Sequence, residues 1–390
     1  MSSSDKVVEN TPCVDSGSLF KFWFNPGKIF RTPNKKLKDV NEVVVVGSGH
    51  YNGPDMNAYV NAGRKKLLFF SYRNCFPKLP NGSTTDSRWG CLIRTTQMLC
   101  GTALLRYHCN GAVALPEEGN AALKKKLSQL FMDLPSAPLG IHKAEEMAHE
   151  NSVKYASMLS PTEAAMALGA ALVAYHDAGG DVPFTVCCAD RNVDAPAIRQ
   201  QLNEGEHVFL LIPVVLGIAP ILEKYQSMML KFFDMKSSCG IAGGYKAASF
   251  YMFGHQGKSV FFLDPHYVQT AYTSEKSAGA LTGARGNLAT RHFDPCMVLG
   301  FYLHTSEDFD VFLKELAAVN TLVAFPLISV SHKAKEGPAP AAAAGESESG
   351  TSQSGEKAEK EADFIQDDAA PPLALNPLRR FSEEAPMYPA

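Results

Sequence analysis

The sequence predicts an α+β fold, and three observations carry that reading. Helical patterns dominate from Met56 to Tyr175, whereas strand patterns concentrate from Phe184 to Leu303. Segregation of this kind builds α+β domains, while a doubly wound parallel sheet needs strands and helices to alternate. Ser249 to Gly254 and Lys258 to Leu263 also face each other across the short His255-Gln256-Gly257 link, a connection available only to antiparallel strands.

Taken in order, residues 1–18 are polar and predict a flexible N-terminus. Leu19 to Phe24 is aromatic-rich and is expected as an edge packed on the core. Glu42 to Val46 is a strand, followed by Gly47-Ser48-Gly49. A Gly-x-Gly after a strand suggests a dinucleotide loop, but Gly53-Pro54-Asp55 breaks the helix that would have to open there, so a tight turn is expected. Met56 to Phe70 is predicted helical and leads to Ser71-Tyr72-Arg73-Asn74. Gly82 to Ser87 supplies turn formers and two potential caps before a helix from Cys91 to about His108. Helices are expected over Asn120 to Phe131 and His142 to His149. Another runs from Pro161 to about Tyr175, where Ser160 and Glu163 form a capping box. Strands follow at Phe184 to Cys188 and His207 to Val215, with a helix near Pro196 to Leu202 between them. Ile218 to Phe232 reads as a helix and Met235 to Gly244 as a glycine-bearing loop. After the hairpin come a strand at Met297 to Leu303 and a helix at Glu307 to Val319. Beyond residue 332 the composition shifts to Ala, Pro, Gly, Ser and Glu, which predicts a disordered tail over 333–390.

Composition excludes some functions. A net charge of -3, with no basic run longer than Lys124-Lys125-Lys126, gives no reason to expect nucleic acid. The 9 cysteines include no Cys-x-x-Cys pair, so no metal site and no disulfide framework is suggested, and thiols in a reducing compartment are the simpler account. No stretch reaches the roughly 18 apolar residues of a membrane span, and the chain opens without an apolar signal region, so a cytoplasmic enzyme-sized protein is expected.

The chemistry concentrates at two distant places. Cys91 opens a helix, where unpaired backbone N–H groups and the positive end of the macrodipole favour thiolate over thiol. Taken alone it reads first as a buried structural cysteine, and the distant Asp264-Pro265-His266 stretch is what turns the reading toward a nucleophile. Asp264 and His266 lie two residues apart at a strand end, so both point to one face, and the carboxylate can hold one imidazole nitrogen while the other faces a nucleophile. Together the three residues form a coherent cysteine-protease constellation with no cofactor.

Several motifs carry a resemblance. They are Tyr72-Arg73-Asn74-x-Phe76-Pro77, Asp86, Trp89-Gly90-Cys91-x-x-Arg94-x-x-Gln97-Met98, Leu211-Ile212-Pro213-x-x-x-Gly217, Gly240-Ile241-x-Gly243-Gly244 and Leu263-Asp264-Pro265-His266-x-x-Gln269. In that order they resemble the autophagins, the autophagy-related protein 4 cysteine peptidases, from about Val43 to Pro326. The resemblance implies a papain-like fold over residues 19–332, with about 111–178 as a small helical lobe. It implies Cys91 as nucleophile, His266 as base and acid, Asp264 as its orienter and Tyr72 as an oxyanion donor beside the Cys91 N–H. The implied substrate is the ubiquitin-like autophagy modifier, autophagy-related protein 8. Its C-terminal extension would be cleaved after a glycine, and its phosphatidylethanolamine conjugate would be released, with membrane contact only through that lipidated substrate.

The sequence departs from the family at Arg88, usually a glycine, and at Tyr267-Val268, usually small hydroxyl residues. Met158 falls on a family tryptophan and Lys236 on a proline of a covering loop, so Met158, Lys236, Gly243 and Gly244 are expected to gate the cysteine. Two rival readings share the fold: a catalytically weak modifier-binding paralogue, and a papain-like amidase with another acyl substrate. Retention of Cys91, Asp264 and His266 weighs against the first, and the length of the match around Trp89 to Met98 against the second.

Overall fold

A computed structural model describes residues 42–332 except 113, 117–119, 218–220, 246–247 and 275–284. The expected N-terminal edge and the tail over 333–390 lie outside the described residues. The centre is a 9-stranded sheet in the order β11-β9-β8-β7-β12-β6-β4, with β1 paired to β8 and β2 to β1. Its strands are β1 (Val43–Val45), β2 (Gly49–Tyr51), β4 (Phe184–Cys187), β6 (Val208–Val215), β7 (Ser238–Tyr245), β8 (Ala248–Gln256), β9 (Ser259–Leu263), β11 (Arg285–Ala289) and β12 (Cys296–Leu303). Every pairing in this sheet is antiparallel except β4 with β6. Two small parallel pairs stand apart, β3 (Arg73–Asn74) with β10 (Gln269–Thr270) and β5 (Asn192–Asp194) with β13 (Ser329–Ser331).

Helices cover both faces, because the central strands bury side chains on both sides. Along β6, Phe209 and Leu211 join one hydrophobic core while Leu210 and Ile212 join the other. The first face carries α1 (Met56–Lys66), α2 (Cys91–Tyr107), α3 (Asn120–Ser128), α4 (Ile141–Glu150) and α5 (Pro161–Asp177). The second carries α6 (Ala195–Asn203), α7 (Glu223–Asp234) and α8 (Ser306–Asn320). The α5 capping box is present in full, with Ser160 accepting from the Glu163 N–H and the Glu163 carboxylate from the Ser160 N–H.

Helix α2 is enclosed between the first face of the sheet and the neighbouring helices. Every residue from Cys91 to Arg106 is buried, so its polar side chains need internal partners. Gln97 donates to the Leu139 carbonyl at 2.7 Å, Thr102 meets the Tyr251 hydroxyl at 2.7 Å, and Arg106 donates to the Ser238 carbonyl. Gly300 on β12 lets the helix settle onto the sheet, since a Cβ there would lie 2.7 Å from Leu99 Cδ1.

One expected loop is a strand. Ser238 to Tyr245 forms β7, paired with β8 on one side and β12 on the other. Its glycines serve close packing instead of backbone freedom: a Cβ on Gly243 would lie 2.8 Å from Met252 Cε and from Met297 Cγ, and one on Gly244 3.0 Å from Asp294 Oδ2. Gly240 has a φ of 99°, opposite Gly300 where the β7–β12 register shifts, and there glycine answers a backbone need.

Candidate active site

Cys91, Tyr72, Asp264 and His266 converge at one end of the sheet, and none is more than 9 % exposed. Cys91 is the first residue of α2, whose N-cap is Gly90. No side chain caps this helix, in contrast to the expectation of a cap between Gly82 and Ser87. The chain turns too tightly for one. The Gly90 N–H donates to the Asp86 carbonyl at 2.9 Å, and a Cβ on Gly90 would lie 2.6 Å from the Asp86 Cβ. The first N–H groups of α2 are thus free of side-chain caps at the thiol. Arg88 in this turn has a φ of 82°, a region that costs a non-glycine residue roughly 1–2 kcal/mol.

His266 Nδ1 and Asp264 Oδ1 are 2.5 Å apart, and the same oxygen accepts from the His266 backbone N–H at 3.0 Å. The other edge of the imidazole reaches Cys91, with which it shares a hydrogen bond. The Tyr72 ring stands edge-on to His266, centroids 5.2 Å apart at 87°, and its hydroxyl also bonds the Cys91 thiol. Burial pushes the Cys91 pKa up, but the His266 hydrogen bond and charge, with smaller help from the Ser249 backbone and Tyr72, leave it below the ordinary thiol value. Burial lowers that of His266, and Asp264 and Cys91 more than offset it, raising it to about 9. Both shifts run in the direction that favours the proton on the imidazole, toward a thiolate beside an imidazolium. Burial, and then the Cys91 charge, holds the Tyr72 hydroxyl far above the usual phenol range, so it stays a neutral donor.

Two sets of contacts fix these groups. The Tyr72 N–H donates to the Pro265 carbonyl at 2.8 Å and the Gln269 N–H to the Tyr72 carbonyl at 2.9 Å, so the tyrosine and the histidine loop are clipped together on either side of His266. Behind them lies a buried charge cluster. Arg94 donates through Nε to Asp86 at 2.5 Å and through Nη2 to Asp133 at 2.7 Å. Asp86 also accepts from the Arg73 N–H at 2.6 Å, and Asp133 from the Tyr272 N–H at 2.7 Å. Burial works against the Arg94 charge, and Asp133 and Asp86 more than offset it. Thr95 meets the Ser249 hydroxyl at 2.7 Å and so sets the helix start against β8.

The structure separates the expected gating residues: Gly244, the ladder partner of Ser249, lies at the Cys91 end of the sheet, and Lys236 does not. Gly243 and Gly244 are ladder positions of β7. Lys236 precedes that strand at the end opposite Gly244, and its N–H is held by the Glu315 carboxylate at 3.2 Å. Lys236 is therefore at the wrong end to cover the thiol. Met158, between α4 and α5, is 55 % exposed and is not a buried plug. Sequence reasoning gave no role to Ser249, Asp133 or Arg94. A lone Asp133 far from Arg94 in the chain offers no local signal.

Seven cysteines are free thiols among the described residues, whereas Cys75 is disulfide-bonded, against the expectation of thiols throughout. No group of three or more metal-ligating side chains, and no helix long and apolar enough to cross a membrane, occurs among the described residues.

Comparison with known proteins gives a consistent result. Residues 58–315 match the family model of the peptidase C54 catalytic domain. The "Probable cysteine protease atg4" of Schizosaccharomyces pombe is 33% identical over 251 residues, 63% of this chain and 73% of that protein. The "Cysteine protease ATG4" of Saccharomyces cerevisiae is 28% identical over 242 residues, and the matched part spans 49% of its length. A "Probable cysteine protease atg4" from Aspergillus niger is 25% identical over 343 residues, 76% of this chain and 82% of that protein.

Proposed function

The chain belongs to the peptidase C54 family, and from that membership we propose that it is an autophagy cysteine peptidase working through Cys91, His266 and Asp264. The observation that carries the reading is the buried Cys91 thiol, held below its ordinary pKa by an imidazole that Asp264 grips at 2.5 Å. Such a pair can attack a carbonyl without a separate activation step.

The substrate we propose is a ubiquitin-like autophagy modifier, autophagy-related protein 8, ending in a glycine that carries either a C-terminal extension or phosphatidylethanolamine. A thiol only 4 % exposed is best reached by backbone with no side chain, which supports glycine at the scissile position. Cys91 Sγ would add to the glycine carbonyl. The oxyanion would be met by the Cys91 N–H, at the uncapped start of α2, and by the neutral Tyr72 hydroxyl. His266 would pass its proton to the leaving nitrogen, breaking the C–N bond to leave a thioester. The neutral imidazole would then take a proton from water, which hydrolyses the thioester and restores the thiolate–imidazolium pair. Both leaving groups depart as amines, so one site serves both reactions.

The test is incubation with modifier carrying an extension and with its lipidated form. Wild type should release both leaving groups, and Cys91→Ala neither, while modifier binding persists because the truncation removes little surface. Cleavage by Cys91→Ala would move the nucleophile elsewhere, and no product from wild type on either substrate would overturn the substrate reading.

A further inference from the structure

Tyr267 and Val268, directly after His266, are 48 % and 51 % exposed. They are the only consecutive pair among the large apolar residues exposed in the described part of the chain. Their mount is rigid. The loop is pinned before them by the Pro265 carbonyl, which accepts from Tyr72, and after them by Gln269, whose N–H donates to Tyr72 and whose side chain donates to Ser71 Oγ at 2.9 Å. Gln269 then pairs with Arg73 in the β10–β3 ladder. Between those anchors the chain turns an aromatic and an aliphatic side chain outward while His266 stays buried.

Their position relative to the chemistry decides what they face. The imidazolium of His266 gives its proton to the leaving amine, so the residues attached to it border the leaving-group side. Successive Cα atoms are about 3.8 Å apart, so Tyr267 and Val268 leave the chain one and two such steps from His266. When the leaving amine is phosphatidylethanolamine, the scissile nitrogen is only a few covalent bonds from the lipid phosphate and cannot leave the headgroup layer before the bond breaks. The leaving-group side of the protein must then come down onto the bilayer. An exposed tyrosine, apolar in its ring and polar at its tip, suits that interface, and valine adds apolar surface beside it.

We infer that Tyr267 and Val268 form a membrane-contacting tip that seats the leaving-group side of the cleft on a phospholipid surface. The inference rests on the proposed release of lipidated modifier, and it replaces the expectation that the membrane is reached only through the substrate. A pair selected for the first residues of a peptide extension would instead act on the soluble substrate.

The experiment uses the full chain and the double variant Tyr267→Ser with Val268→Ser. Release of modifier from vesicles of phosphatidylcholine and phosphatidylethanolamine should fall about ten-fold, the order expected when part of an aromatic and a valine side chain no longer leave water. Cleavage of the soluble extended modifier should stay within about two-fold. Equal loss on both substrates, loss on the soluble one alone, or no loss on either overturns the proposal. Co-sedimentation of Cys91→Ala with the same vesicles, free of modifier, supplies an arm independent of the substrate reading. It should show binding that weakens when the two serines are added, and binding that is absent or unaffected overturns the tip. If wild type cleaves neither substrate, the functional reading fails while this arm still decides the membrane contact.

Discussion

Cys91 and His266 exchange one proton, so the acid–base behaviour of the site belongs to the pair. The His266 pKa is raised to about 9, with Asp264 the largest of the influences raising it. The attacking form needs the proton on the imidazole, so kcat/KM should fall on the alkaline side near that value as the imidazolium is lost. Asp264→Asn removes the carboxylate that supports the charge, and the alkaline limb should move to lower pH. Turnover should drop by about 10³- to 10⁴-fold, by analogy with the same change in a serine-protease triad. An unmoved limb with near-normal turnover would show that Asp264 does not orient His266. These three residues were legible because their chemistry is written in type and spacing: a cysteine at a helix start, and a carboxylate two residues before a histidine at a strand end. Ser249 was not, since it acts through its backbone and a hydroxyl contact that only the folded sheet creates.

At the scale of elements, helix boundaries were legible where caps are local, as at Ser160, and less so where apolar runs are ambiguous. Helix α1 ends at Lys66, not Phe70, because Leu67 turns to extended backbone and Leu67 to Phe70 continue as buried chain. A short buried apolar run looks the same in either conformation. The strands β5, β11 and β13 were not foreseen: they are short or half-buried and carry Asn, Asp, Arg or Ser. Helix α4 carries a less visible device. The buried Glu145 accepts from the Ala156 N–H at 2.6 Å and so holds the segment leading to Met158, in which Ser152 and Ala156 have positive φ. Burial pushes Glu145 up to about 7. The folded state thus holds this proton more tightly than the unfolded chain, and stability present at low pH is lost as pH rises from the ordinary carboxyl value through 7. A shift of that size corresponds to about 3 kcal/mol. Glu145→Gln, neutral throughout, should therefore gain on wild type in Tm at pH 8 and not at pH 5. The same difference at both pH values would mean that Glu145 does not titrate in this way.

Across the whole molecule, the Arg94 cluster joins the Asp86 turn, the start of α2, the Asp133 segment and Tyr272. Removing one partner of a buried ion pair strands the other charge and typically costs about 3–5 kcal/mol. Arg94→Met should lower the unfolding free energy from denaturant titration by that amount, and an unchanged value would show that the cluster does not hold these segments together. The general plan was legible, because an α+β sheet follows from segregated patterns. The joint was not, since its residues lie 8 and 39 positions from Arg94 and nothing local links them. The placement of β12 carries one more consequence, in the order of synthesis. Strand β12 lies between β6 and β7, yet it is the last strand of the large sheet to be made. A growing chain can assemble β4 with β6, and β7 with β8 and β9, but those pieces stay unjoined, with bare edges, until residues 296–303 arrive. Helix α2, which aims Cys91, lies against β12 at Gly300. The nascent protein therefore carries Cys91 from early in translation, but the sheet that positions it is not complete until about three-quarters of the chain exists.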